Sequence, residues 1–289
     1  SVGTIDPPAT ETIAKTFSST LTANGGAVFN EDSADVDFRV ESNGNANAIF
    51  VNGGEDTVGI GNSNAHSFAD NADNLVVGTG SGHNGVTIYS DGSSSGSLFF
   101  ANGTSGAQVQ QGQIVYEQNN STMILKTAAN TAISIDGNGH VTKPLQPAFM
   151  ATGHDSTGAL SNIATNNSQS DIPFPTEVFD QNGDYNNSNY TFTAPVTGRY
   201  LFCYNVLLTT VDSAATYVAL RYISSNRSLD INILEPDFNA DLSRYTLTGS
   251  IIGDLDASDT AKLTIAQYEG TAQMDVGSAG MHFSGCLLA

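Results

Sequence analysis

The chain has 289 residues, with 29 acidic and only 9 basic side chains, and therefore a formal net charge of −20 at pH 7. This charge excludes nucleic acid as the main partner, because phosphate binding needs clustered Lys and Arg, and it disfavours anionic membrane surfaces for the same reason. Apolar residues make up 39% of the chain, which is enough to build a core.

Residues 1–26 are predicted to be an N-terminal tether. Ile13, Phe17 and Leu21 follow Pro7-Pro8 at the i, i+4, i+8 spacing of one helical stripe, but an extended linker is equally compatible with this segment. The first residues show no basic segment and no hydrophobic signal core, so we expect no secretion signal. No apolar run approaches the 18 or so residues of a membrane span, so we expect no membrane insertion.

Residues 27–143 are predicted to form a slender β-rich shaft. Short apolar runs recur about every ten residues and are separated by turn clusters such as Asn-Gly and Asp-Gly, which suit tight hairpins. The predicted strands are 36–40, 48–51, 57–60, 75–78, 86–89, 98–101, 113–117, 123–126 and 132–135. Each offers too few apolar side chains for a compact monomer, so copies would wind together in an oligomeric shaft or the strands would form a small open sandwich. A plain monomeric β-domain is the alternative.

Pro144 and Pro147 mark a stiff linker at the start of a second region, residues 144–289. The predicted strands lengthen here, to 148–151, 172–180, 189–194, 198–210, 215–224, 228–234, 242–253, 260–268 and 280–288. Side chains alternate clearly in Tyr200, Phe202 and Tyr204, and no helix is indicated. The pattern is typical of an all-β sandwich or jelly roll.

This second region resembles the globular head of the complement C1q and tumour necrosis factor (TNF) superfamily. The resemblance is carried by 147–151 (Pro-Ala-Phe-Met-Ala), by 178–186, by 190–202 with its Ala-Pro pair, glycine and Tyr-Leu-Phe, by Gly253-Asp254, and by 282–288 (His-Phe-Ser-Gly-Cys-Leu-Leu). It implies a jelly-roll head that forms homotrimers. The side chains expected to pack in the core or on the three-fold axis are Phe149, Tyr200, Phe202, Phe283 and Leu287. It also implies that Cys203 and Cys286 lie on neighbouring strands, where two buried free thiols are favoured over a disulfide.

The first region resembles shaft segments of bacteriophage tail fibres, particularly those of marine and cyanobacterial phages. The matching segments are 29–31, 35–42, 47–51, 57–61, 75–78, 85–90 and 135–142. A shaft followed by a trimeric head is a coherent pair.

No catalytic residues, cofactor or metal are predicted. Residues 80–85 spell a dinucleotide fingerprint, but a predicted strand follows where a helix is required. Asp180, Asn182 and Asp184 copy the first three ligand positions of a calcium loop, yet the glycine is misplaced and Thr191 stands where the bidentate Glu belongs. These three residues remain calcium candidates beside the simpler reading of an acidic turn. Polysaccharide cleavage by paired carboxylates is kept only as a distant alternative.

The sequence thus predicts a non-enzymatic, homotrimeric virion fibre that attaches to a host-surface glycan or protein through its head and to tail or capsid proteins through its N-terminus. Distal loops near 211–216, 236–241 and 270–280 are expected to carry the receptor contacts, namely Asp212, Ser213, Asp237, Asn239, Asp241 and Asp275. The alternatives are a capsid or tail decoration protein whose head only trimerises and caps it, and a secreted adhesin or cytokine-like ligand.

Overall fold

The structure, a computed structural model, describes residue 29 and residues 35–153 and 160–289. The predicted tether and the helical stripe within it lie outside the described residues. By its internal contacts the chain divides into two compact units, residues 1–88 and 89–289.

The first unit contains a four-stranded sheet of very short strands. It consists of β1 (Phe38–Val40), β2 (Ile49–Asn52), β3 (Thr57–Ile60) and β4 (Leu75–Val77), in that order. β1 to β3 are antiparallel, and β4 runs parallel to β3 after a crossover that contains a 3-10 helix, Ala65–Ser67. The expected strand over 86–89 is wrong: Val86 and Tyr89 are 74% and 93% exposed and pair with no strand. An apolar run without a hydrogen-bonded neighbour does not make a strand.

The second unit opens with a five-stranded antiparallel meander. Its strands are β5 (Ser95–Phe100), β6 (Gly112–Glu117), β7 (Thr122–Thr127), β8 (Asn130–Ile135) and β9 (Val141–Thr142). A 3-10 helix, Gly106–Gln110, lies between β5 and β6. The Asp-Gly-Asn-Gly turn before β9 is held by Asp136, whose Oδ1 accepts the backbone N–H groups of Asn138 and His140, both at 2.9 Å.

The remainder of the second unit is a two-sheet sandwich. The first sheet has the order β12 (Thr176–Asp180), β10 (Ala148–Thr152), β21 (His282–Leu287), β15 (Gly198–Val211), β18 (Leu242–Leu255), with β20 (Asp275–Val276) pairing β15. The second has the order β13 (Tyr185–Asn186), β14 (Thr191–Thr193), β19 (Thr260–Tyr268), β16 (Tyr217–Ser224), β17 (Ser228–Leu234), with β11 (Ser170–Asp171) pairing β19.

The core lies between these two sheets. Inward positions alternate along β15, where Tyr200, Phe202 and Val206 are fully buried, and they meet Leu220 and Leu263 of the second sheet. The predicted all-β class and jelly-roll head are confirmed; the trimeric shaft stays a prediction.

Candidate self-association face and loop end

The outward side of the first sheet carries an apolar patch, which we call the open face. It consists of two rows of side chains on β10, β12, β15, β18 and β21 that point away from the core. Arg199 and Asp254 are paired on the same side of the sheet and border these rows where β15 begins. The strand register places Ile252, Leu201, Cys286 and Ala148 in one row across the sheet. Ser250, Cys203, Ser284, Met150 and Phe179 form the next row.

The open face is exposed in the single chain. Ile252 is 59% exposed and Phe179 48%, whereas Leu201 and Cys203 are half-buried. A shallow depression of about 170 Å³ lies on this face, and Phe179, Leu201 and Cys203 are among its lining residues. The two rows contain no charged side chain, although the chain carries a net charge of −20. Apolar surface of this kind is stabilised by burial against a partner.

The face becomes polar towards the other end of the strands. The third row holds Thr248, Asn205, His282 and Thr152. The Asn205 side chain donates a hydrogen bond of 2.6 Å to the carbonyl oxygen of Gly280. The apolar patch is therefore confined to the half of the sheet in which Ala148 and Leu201 lie.

Both cysteines belong to the open face, on the neighbouring strands that the resemblance implies. Leu201 is paired with Cys286 and Cys203 with Ser284, so the two thiols lie diagonally, and both are free. Diagonal positions on adjacent strands are about 7–8 Å apart, which is too far for an unstrained disulfide. The prediction of free thiols is thus consistent with the register, but they are half-buried rather than buried.

The aromatic residues predicted for the core or the three-fold axis lie in the core. Phe149, Tyr200, Phe202 and Phe283 are at most 1% exposed. Phe202 and Phe283 stack with their ring centroids 5.6 Å apart. Leu287 is half-buried against the same core. None of the five therefore contributes to the open face, whose residues the sequence reasoning missed.

One sequence signal could have found the open face. The run from Tyr200 to Leu208 is apolar at nearly every position, not only at alternate ones. A strand with one solvated face alternates apolar and polar residues, whereas a strand covered on both faces reads as a near-continuous apolar run.

The linker from the meander is anchored at the apolar end of this sheet. Gln181 Nε2 donates hydrogen bonds to the carbonyl oxygens of Lys143 (2.9 Å) and Gln146 (2.7 Å). Asn182 Nδ2 donates to the carbonyl oxygen of Leu145 at 3.1 Å. The opposite end of β15 pairs Val211 with Leu242, so the loops near 211–216, 236–241 and 270–280 lie at the end away from the linker.

This loop end is organised by a buried carboxylate. Asp212 is 2% exposed. Its Oδ2 accepts the N–H groups of Thr271 (2.5 Å) and Ala272 (2.7 Å), and its Oδ1 accepts that of Ala214 (2.8 Å). Burial alone would raise the pKa of Asp212, but these hydrogen bonds outweigh it and hold the pKa below its usual value. Asp212 therefore joins two loops, and the expectation that it contacts a receptor is corrected.

The other predicted contact residues are nearer to the surface. Asp237, Asn239 and Asp241 are exposed, whereas Ser213 and Asp275 are half-buried. Asp241 accepts hydrogen bonds from the backbone N–H (2.9 Å) and the hydroxyl (2.7 Å) of Ser213.

Asp241 and Asp275 belong to one depression of about 520 Å³, which lies at the loop end. It is lined by Thr210, Asp241, Leu242, Ser243, Ala272, Gln273 and Asp275. Two of the predicted loop segments, 236–241 and 270–280, thereby contribute to one depression.

The three calcium candidates form a tight turn instead of an open cage. Asp180 accepts the backbone N–H groups of Asp184 (3.1 Å) and Tyr185 (2.9 Å), and Asn182 is engaged with the linker. Burial, followed by the charge of Asp180, raises the pKa of Asp184. In the described part of the chain no three His, Cys, Asp or Glu side chains are grouped so that they could hold a metal ion.

No helix among the described residues has the length and apolar character needed to cross a membrane. After residues 80–85, which spell the dinucleotide fingerprint, the described chain forms neither a helix nor the expected strand before β5.

Comparisons with known proteins concern the sandwich. The family model described as the C1q domain matches residues 156–288. No curated protein matches the chain. Similar solved structures include the globular domain of zebrafish complement 1qA protein, with 19% identity and a TM-score of 0.34 over 50% of this chain and 98% of that chain. Murine APRIL at pH 8.5 has 12% identity and a TM-score of 0.34, over 50% and 99% of the two chains. Eiger TNF from S. frugiperda has 12% identity and a TM-score of 0.33, over 50% and 94%.

Proposed function

We propose that the protein is a homotrimeric virion fibre whose head attaches to a host-surface glycan or protein. The proposal starts from the premise that the C-terminal region of the chain is a C1q/TNF-like domain. The observation that carries this proposal is the uncharged open face of the first sheet. It offers a sister copy an apolar surface on one side of the head and leaves the loop end free. The three-fold state follows the resemblance to C1q and TNF heads, which act as trimers without catalysis.

The mechanism is multivalent binding. Three equivalent loop ends in one head, and several fibres on a particle, raise a weak single-site affinity through effective concentration. Asp237, Asn239 and Asp241 supply exposed carboxylate and amide groups at the loop end. These groups suit a hydroxyl-rich or cationic surface, and the linker at the opposite end of the sheet suits attachment of the shaft.

The proposal is tested by competition for adsorption. Full-length protein is added while the particle that carries it adsorbs to its host, and the half-inhibitory concentration is measured. We expect the double variant Asp237→Ala/Asp241→Ala to raise this concentration at least tenfold, because it removes two carboxylates of the loop end. The matched control is Asp254→Ala/Asp256→Ala, which removes the same charge near the linker end of β18.

Equal competition by both variants and the unchanged protein would contradict binding through the loop end. The alternative of a decoration protein predicts a different result: the unchanged protein does not compete, and removal of the head lowers the heat stability of the particle instead of its adsorption.

A further inference from the structure

The meander of β5 to β9 also has a face without any charged side chain, which we call the meander face. The register aligns its side chains across all five strands. Leu98, Ile114, Leu125 and Ile133 form one row, and Tyr116, Met123, Ile135 and Val141 form the next. At the edge of the face, Phe100 lies over Gly112, where a Cβ atom would be 3.2 Å from its ring.

The meander face is open in the single chain, whereas the centre of the opposite face is covered. Leu98 is 50% exposed, Ile114 40% and Val141 58%. On the opposite face Val115 and Ile124 are only 7% and 8% exposed. Each apolar row crosses four of the five strands, and its side chains are exposed or half-buried. Apolar surface of this extent is stabilised by a partner of the same character.

Charge selects the kind of partner. Copies of a chain with a net charge of −20 repel one another, and uncharged surface is where two copies approach at the lowest electrostatic cost. The opposite face of the meander carries Glu117 and Lys126, but the meander face carries neither sign. The same face of a second copy is therefore a matching occupant.

Size shows that this face does not act alone. Five strands about 4.8 Å apart and about 20 Å long give an area of roughly 400 Å², about half of the ~800 Å² that a stable interface takes from each partner. The open face of the head offers further uncharged apolar area to the same sister copy. Val141 of the meander face and Ala148 of the open face are separated only by the linker, which Gln181 and Asn182 anchor to the head.

We propose that the meander face packs against the meander faces of the sister copies and forms a second self-association surface next to that of the head. This inference rests on the proposed trimer and adds to it the residues through which the shaft joins. Sheets that pack face to face lie about 10 Å apart, which leaves no room for a bulky reagent between them.

The test measures thiol accessibility in the full-length protein. Cys203 and Cys286 are replaced by Ser, and a single thiol is introduced as Ile114→Cys on the meander face or as Phe99→Cys on the opposite face. The two positions are similarly exposed in the single chain, at 40% and 54%, so an unassembled protein labels both at similar rates. The rate of reaction with a bulky maleimide is measured together with the mass by light scattering.

We expect a particle of about 90 kDa, three times 30.1 kDa, in which the thiol at position 114 reacts at least tenfold more slowly than the one at 99. Equal rates in a particle of about 90 kDa would overturn this inference and leave the trimeric head intact. A particle of about 30 kDa would overturn both this inference and the proposed trimer. Slow labelling of position 114 in such a particle would mean that another part of the same chain covers the meander face.

Discussion

At the scale of single residues, the Phe-Ser-Gly motif near the C-terminus has a packing reason. Gly285 is paired with Phe202 on one side and Phe149 on the other. A Cβ atom at position 285 would lie 2.7 Å from the ring of Phe202 and 2.8 Å from that of Phe149. The missing side chain lets two core phenylalanines converge from flanking strands.

We therefore expect Gly285→Ala to lower the free energy of unfolding by about 1–3 kcal/mol, the range for overpacking a core. Urea denaturation measures the change. Gly92→Ala is the control, because nothing lies within 4 Å of the Cβ position there and the expected change is small. Equal free energies of unfolding for the two variants would contradict this prediction, because they would show that the rings of Phe149 and Phe202 shift to accept the added methyl group without loss of stability.

The sequence predicted the residues of this cluster but not their surroundings. Phe149, Tyr200, Phe202 and Phe283 were expected to pack in the core or on a three-fold axis, and they are buried within one chain. The sequence pattern of an aromatic residue on a strand is the same in the core of one chain and on a three-fold axis, because both environments are apolar. The two cases are distinguished only when the position of the second sheet is known.

At the scale of elements, the bounds of a strand were predicted well where turn-forming residues such as Asn, Asp, Gly or Ser flank it. The bounds of 57–60, 228–234 and 260–268 agree with β3, β17 and β19. The 86–89 run failed because composition cannot say whether a neighbouring strand is present to accept its hydrogen bonds. The open face was missed for a related reason, since which side of β15 faces the core is decided by long-range pairing.

The loops at the head's distal end depend on Asp212. Asp212→Ala leaves the N–H groups of Ala214, Thr271 and Ala272 without this acceptor, and we expect a loss of about 2 kcal/mol in the free energy of unfolding at neutral pH. Asp237→Ala in the neighbouring exposed loop is the control, with an expected change below about 0.5 kcal/mol.

The loss also depends on pH in a defined direction. Because the folded-state pKa of Asp212 is lowered, its stabilisation is present above the unfolded-state pKa of about 3.9 and disappears as the pH falls through the lower folded-state value. The free energies of unfolding of the unchanged protein and of Asp212→Ala should therefore converge as the pH falls below about 4. A difference that stays constant as the pH falls well below 4 would contradict the role of the carboxylate.

At the scale of the whole molecule, two uncharged apolar faces occur in a chain that is otherwise strongly acidic. One lies on the meander and one on the head, and both are open in the single chain. From the thinness of the strands and their regular spacing, the sequence favoured association of copies over a small open sandwich or a monomeric β-domain. It could not predict which side chains meet, because that requires the register of both sheets.

The most direct test of self-association is the solution mass of the full-length protein and of two isoleucine variants. Ile252→Glu places a carboxylate on the open face, and Ile233→Glu places one on the second sheet; both positions are 59% exposed in the single chain, so neither change disturbs the core. We expect about 90 kDa for the unchanged protein and for Ile233→Glu, and about 30 kDa for Ile252→Glu. An unchanged protein of about 30 kDa, or an Ile252→Glu variant that remains at about 90 kDa, would contradict association through the open face.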